Sequence, residues 1–125
     1  MKKTNPTEGE LEILQVLWEL GPCTVRAVND ELSKGKEVGY TTTLKLMQIM
    51  LEKGLLSRDT SKRTHVYKAE VAEDVTQKKL LERFLQSTFK GSAMKMVMQA
   101  LGDHQASKDE LEEIKALIEK KEKEQ

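Results

Sequence analysis

Apolar residues recur at three- and four-residue spacing in three successive stretches near the start of the chain. Leu11, Leu14, Leu17 and Trp18 share one helical face, and Ile13, Val16 and Leu20 widen it until the helix needs burial on more than one side. Ahead of it, Thr7-Glu8-Gly9-Glu10 matches the capping box, in which a Thr side chain and a Glu three residues on satisfy each other's backbone amides. Gly21-Pro22 ends this helix, and Trp18 on its apolar stripe is expected as a core anchor. Thr24 caps a second helix from Val25 to about Leu32, with Val25, Val28 and Leu32 inward and Arg26, Asn29, Asp30 and Glu31 outward. A polar loop with two glycines follows. The third helix lies between Tyr40 and Gly54: Thr43, Leu46, Met47, Met50 and Leu51 form its inward face, while Thr41, Lys45, Gln48 and Glu52 look out, flanked by Thr42 and Ile49. Thr41 is expected as its N-cap, and Gly54 suits the left-handed residue that closes a helix.

After Gly54 the period changes to that of strands. Leu55 to Asp59 and Thr64 to Lys68 read as a hairpin around the turn-forming Thr60-Ser61-Lys62-Arg63, with His65 on the second strand. From Glu70 onward no strand signal remains. Asp74 caps a helix through Leu80, Leu81, Phe84 and Leu85 to Lys90, stopped by Gly91. Ser92 starts a second, with Met94, Val97, Met98 and Leu101 apolar, closed by Gly102. Ser107-Lys108-Asp109-Glu110 is another capping box, heading a third with Leu111, Ile114, Leu117 and Ile118 on one face. Short helices of this kind are marginal alone, so their stripes need a partner surface. The fold expected is mainly α with a small β-hairpin: a winged helix-turn-helix domain over residues 1–73, then a helical dimerisation tail over residues 74–125. The dimer contacts expected are Leu80, Leu81, Phe84, Leu85, Val97, Met98, Leu101, Leu111, Ile114, Leu117 and Ile118. A monomer with these helices folded back on the first domain is the alternative.

The order helix, helix, helix, hairpin points to DNA. An exposed Thr, Lys and Gln face is what a recognition helix needs in a major groove, and a basic hairpin tip suits the phosphate backbone beside it. Charge supports this locally. The 125-residue chain has 21 basic and 21 acidic residues, yet between Thr41 and Lys68 six basic residues face two acidic ones. The DNA contacts expected are Thr41, Thr42, Lys45, Gln48 and Ile49 on the 41–53 recognition helix, Arg58, Lys62 and Arg63 on the 57–68 wing, and Arg26. The competing use of the same architecture is a protein-interaction adaptor without sequence-specific DNA binding.

Other chemistry is sparse. No apolar run approaches the roughly 20 residues that span a bilayer, and the N-terminus lacks a signal-peptide stretch, so the expected location is cytoplasmic. Cys23 is the single cysteine, which excludes an intramolecular disulfide and a cysteine metal cage. Beside a helix start its thiol pKa could be lowered, and a redox or ligand sensor acting through Cys23 is the third functional class. His65 and His104 have no metal-ligand spacing, and no phosphate loop, nucleophile elbow or acid/base pair is present. Neither an enzyme nor a cofactor is expected.

The ordered set of stretches resembles the penicillinase-repressor family of winged-helix repressors. The matching residues run through Pro6 to Leu14, Val16-Leu17-Trp18, Gly21 to Val28, Tyr40 to Thr43, Leu51 to Leu56, Thr64 to Tyr67 and Phe89 to Ser92, nearly the whole chain. The resemblance implies a homodimeric repressor on a palindromic double-stranded operator, with Thr41, Thr42, Lys45, Gln48 and Ile49 falling where the family reads DNA and Lys62 and Arg63 falling in its wing. It also implies release by a membrane sensor-protease system that cuts an Asn-Phe bond in the C-terminal helices. The corresponding region here reads Ala100-Leu101-Gly102-Asp103-His104, with no Asn-Phe pair anywhere in the chain. The C-terminal cysteine cluster of copper-responsive relatives is missing too, which leaves the inducer open.

Overall fold

The computed structural model describes residues 5–103 and 105–125; Met1–Thr4 and His104 lie outside the described residues. Its elements run α1 (Glu8–Leu20), α2 (Val25–Leu32), α3 (Tyr40–Glu52), β1 (Leu56–Asp59), β2 (Val66–Ala69), α4 (Glu73–Phe89), α5 (Ala93–Asp103) and α6 (Lys108–Lys123). The chain divides into two compact units, Met1–Leu81 and Glu82–Gln125. The first two turns of α4 thus belong with the first unit, where Thr76 is buried and its hydroxyl donates to the Ala72 carbonyl at 2.8 Å.

In the first unit the inward stripes converge. Ile13, Leu14, Val16 and Leu17 of α1, Val25 and Val28 of α2, Met47 and Met50 of α3, then Leu55, Leu56 and Tyr67 form one buried cluster. Each fully buried side chain of this size contributes about 1.5–3 kcal/mol. Thr7 caps α1 as the sequence requires: its hydroxyl accepts from the Glu10 amide at 3.3 Å, and Glu10 Oε1 accepts from the Thr7 amide at 2.9 Å. Thr24 caps α2, accepting from the Ala27 amide at 3.1 Å. At the end of α3, Gly54 takes φ 81°. That lets its amide donate to Leu51 O and the Leu55 amide to Met50 O, the paired closure characteristic of a left-handed helix end.

β1 and β2 pair antiparallel, with Arg58 opposite Tyr67, and Cys23 adds an isolated bridge to Tyr67 through two backbone hydrogen bonds of 3.0 and 2.9 Å. The strands are offset from the expected ones. Leu55 is used in closing α3 and Thr64 and His65 remain in the loop, so pairing starts at Leu56 and Val66. Three end assignments also change. α3 starts at Tyr40 with Gly39 as a cap that offers no side chain, because the Thr43 amide reaches Gly39 O; Thr41 lies exposed within the first turn. Asp74 sits inside α4, where its carboxylate accepts from the Val75 amide. Gly102 lies within α5, among residues with helical backbone, rather than closing it.

Leu20, expected on the apolar face of α1, is exposed at its last residue. Trp18 packs against the core from its edge, and its indole N–H donates to Val71 O at 2.9 Å.

In the second unit, Phe84 and Phe89 meet edge to face at 5.7 Å, and the chain turns into α5 through Lys90 and Gly91, both with positive φ. Ser92 and Ser107 cap α5 and α6 through their hydroxyls. Neither α5 nor α6 contains a buried residue.

Candidate nucleic-acid interface

α3 is seated by its apolar face and by polar contacts at both ends. At its C-terminal end Lys53 Nζ lies 2.8 Å from Glu10 Oε2, and Glu10 is only 1% exposed. Burial pushes the Glu10 carboxyl up, but the Lys53 ammonium and the Thr7 amide and hydroxyl outweigh it and hold its pKa below the ordinary value. At the N-terminal end the contact comes from Asn29. Expected to face solvent, Asn29 is buried, and its amide nitrogen donates to Val38 O and Thr43 Oγ1, both at 2.9 Å. So held, α3 exposes Thr41, Thr42, Lys45 and Gln48, with Ile49 half-buried beside them.

An open hollow of about 320 Å³ lies where α2, α3 and the wing meet, lined by Thr24, Val25, Arg26, Tyr40, Leu44, Arg63, Thr64, His65 and Tyr67. Arg26 and Arg63, from distant stretches of chain, therefore share one concavity at the start of α3. The Arg26 guanidinium lies over the Tyr40 ring, 4.5 Å from its centroid, a cation–π contact that leaves the N–H groups of its planar fork available. Arg58 is placed elsewhere: it lines a second hollow with Pro22, Ser57, Asp59, Val66, Lys68 and Glu70, and its guanidinium lies 6.0 Å from the Tyr67 ring. Lys62 is exposed at the wing tip. The wing turn is shaped by Asp59, whose carboxylate accepts from the Ser61 amide at 2.9 Å; that bond leads the influences that lower its pKa.

The local positive charge is narrower than a residue count implies. Lys53 is neutralised by Glu10, and Lys68 lies 3.9 Å from Glu70. Among the described residues, Arg26, Lys45, Arg58, Lys62 and Arg63 carry no ion-pair partner. Sequence reasoning missed two residues of this region. Tyr40 was readable only as the start of a helix, because its value lies in a partner fourteen residues away on α2. Asn29 was misplaced by its polarity, although it lies four residues after Val25 and so on the same helical face.

Cys23 is half-buried, and burial pushes its thiol pKa up, opposite to the lowering its place beside a helix start suggested. Among the described residues no cluster of His, Cys, Asp and Glu could hold a metal ion, and no helix is long and apolar enough to cross a membrane. The residues expected at a dimer surface are mostly open: Leu81, Phe84, Val97, Met98, Leu101, Leu111, Leu117 and Ile118 are exposed, and Leu80, Leu85 and Ile114 are half-buried.

Residues 6–120 match the family model described as penicillinase repressor. The chain belongs to that family. The penicillinase repressor of Bacillus licheniformis is 26% identical over 113 residues, covering 90% of this chain and 88% of that protein. The methicillin resistance regulatory protein MecI of Staphylococcus aureus (strain N315) is 22% identical over 115 residues, covering 92% and 94%. Among solved structures, the solution structure of monomeric Bacillus licheniformis BlaI in complex with the blaP half-operator is similar over 58% of this chain and 92% of that one, with 27% identity and a TM-score of 0.49. The family is one of transcriptional repressors, which is not an enzyme class.

Proposed function

We propose that this chain represses transcription by binding a palindromic double-stranded operator as a homodimer, in the cytoplasm. α3 enters the major groove with Thr41, Thr42, Lys45, Gln48 and Ile49 toward the DNA. Lys45 suits the O6 and N7 acceptors of guanine, and Gln48 suits the N6 and N7 edge of adenine. Arg26, Lys62 and Arg63 neutralise flanking phosphates, with Arg58 assisting from the neighbouring face of the wing. Residues 1–73 carry this activity, and residues 74–125 pair two copies so that two copies of α3 meet successive half-sites. Removal of the repressor by a membrane sensor-protease system would require a bond other than Asn-Phe in the C-terminal helices.

The observation that carries this reading is the shared hollow, which sets a wing arginine beside Arg26 and Tyr40 at the start of an exposed Thr, Lys and Gln face. Mobility-shift titration against DNA from upstream of the protein's own gene tests it. Replacing Lys62 and Arg63 together with alanine should weaken binding about tenfold or more and flatten the dependence of log affinity on log salt by roughly two units. Unchanged affinity and slope would remove the phosphate role.

A further inference from the structure

We infer that Asn29 is a positioning residue for α3: its buried side-chain amide locks the start of that helix against α2 and so sets how Thr41, Lys45 and Gln48 are presented. As a statement about DNA recognition this rests on the function proposed above; as a statement about the lock it does not.

Asn29 is 6% exposed, and a primary amide costs free energy to bury unless its hydrogen bonds are remade. Both amide hydrogens are used, one on Val38 O and one on Thr43 Oγ1, each at 2.9 Å. Val38 O can only accept, so the nitrogen of the side chain must face it. Thr43 is itself fully buried, and its hydroxyl points its own hydrogen toward Gly39 O at 3.5 Å. One side chain on α2 therefore grips the last loop residues before α3 and the first turn of α3 together. The cap of α3 supplies no side chain, and although the exposed Ser33 hydroxyl also donates to Val38 O at 3.3 Å, Asn29 is the side chain that ties that carbonyl to the first turn of α3.

Direction is the point. Met47 and Met50 hold α3 by apolar burial, which tolerates small rotations and slides of a helix, whereas hydrogen bonds of this geometry weaken steeply when bent. Lys45 lies two residues beyond Thr43, so a displacement of the first turn is passed directly to the face turned to DNA. An apolar pair in place of Asn29 and Thr43 would fill the volume and leave the orientation less defined, the role best attested for buried polar groups.

Asn29→Leu combined with Thr43→Val in the full chain tests this, since it removes the hydrogen bonds while keeping the bulk. Three readouts are needed: melting temperature, the ratio of operator affinity to random-sequence DNA affinity, and amide exchange in residues 40–45. The expected result is a melting temperature near that of the parent, random-sequence affinity within about threefold, operator preference reduced about tenfold or more, and faster exchange confined to the first turn of α3. Parent-like operator preference and parent-like exchange in the folded double variant would overturn the inference. Should that variant not fold, Thr43→Ser and Thr43→Val replace it. The serine keeps the acceptor and should keep the preference, the valine should lose it, and equal behaviour of the two overturns the lock. If the parent protein shows no operator preference, the DNA reading fails by itself, and the exchange comparison still decides on Asn29.

Discussion

Residues up to Leu81 and residues from Glu82 onward are built from amphipathic helices, and a Thr or Ser side chain caps α1 and α2 in the first unit and α5 and α6 in the second, yet the two units end differently. The first unit closes its stripes on one another: Ile13, Leu14, Val28, Met47 and Met50 have no exposed surface, and among the described residues every buried side-chain nitrogen or oxygen has a hydrogen-bond partner. In the second, α5 and α6 bury no residue, and Met94 and Met98 stand 77% and 68% exposed. An apolar stripe specifies that a face will be covered, not by what. Where three helices and a hairpin supply one another's cover, the unit can be stable by itself; where they do not, the stripe asks for another surface.

The largest effect expected is in the first unit. Leu14→Ala should cost about 2–5 kcal/mol, read as a fall in the denaturation midpoint, because a fully buried leucine leaves a cavity that its neighbours only partly refill. Met98→Ala in α5 should cost the isolated chain less than about 0.5 kcal/mol, as for other surface sites. A comparable loss from both would erase the contrast between the units.

The proposed dimer makes the reverse demand on the tail. Val97→Asp with Leu101→Asp, one turn apart on α5, should leave the first unit's unfolding nearly unchanged while raising the dimer dissociation constant about a hundredfold, which is roughly 2.7 kcal/mol. Sedimentation across micromolar concentrations reads it directly. An undisturbed dimer would mean that this face is not the one that pairs.

How far each unit was readable from sequence follows the same division. Capping boxes at Thr7 and Ser107, the glycine closure at Gly54 and the turn between β1 and β2 are local, and each appears in the structure within a residue or two of its expected place. Contacts between distant stretches were not legible. Nothing in the chain pattern pairs Arg26 with Tyr40, brings Arg63 to both, or commits Lys53 to Glu10 in place of phosphate. Asn29 shows the limit most clearly, since its position in the helical period placed it inward and its polarity argued outward. The decision lay with Val38 O and Thr43 Oγ1, whose arrival beside it depends on how the loop after α2 returns.

The Glu10–Lys53 pair sharpens the comparison through pH. Glu10 has its folded pKa below the ordinary 4.5, so its contribution is present in full above that value and is lost as pH falls below it toward the folded value. Acid titration of the first unit's stability should therefore steepen below about pH 4.5. Glu10→Gln should remove that steepening and cost about 1–3 kcal/mol at neutral pH, because Lys53 then faces a group without charge. A variant with the parent's acid profile would mean that other carboxylates set it.

The smallest effect isolates context from local chemistry, because the two units contain the same device. Thr7 and Ser107 each accept from the amide three residues on, and Glu10 and Glu110 each reach back to the cap amide. Thr7→Ala and Ser107→Ala should each remove about 1 kcal/mol of local helix stability. They should be read out differently. Around Thr7 the loss is tied to a core and to the buried Glu10 carboxylate, so it should appear in the cooperative unfolding of the first unit. At Ser107 it should appear as fraying of the first turn of α6, seen in amide exchange of residues 108–111 and hardly at all in the main transition. Equal shifts of the main transition by both variants would show that α6 unfolds together with the core, and the separation of the two units would then be one of contacts without being one of stability.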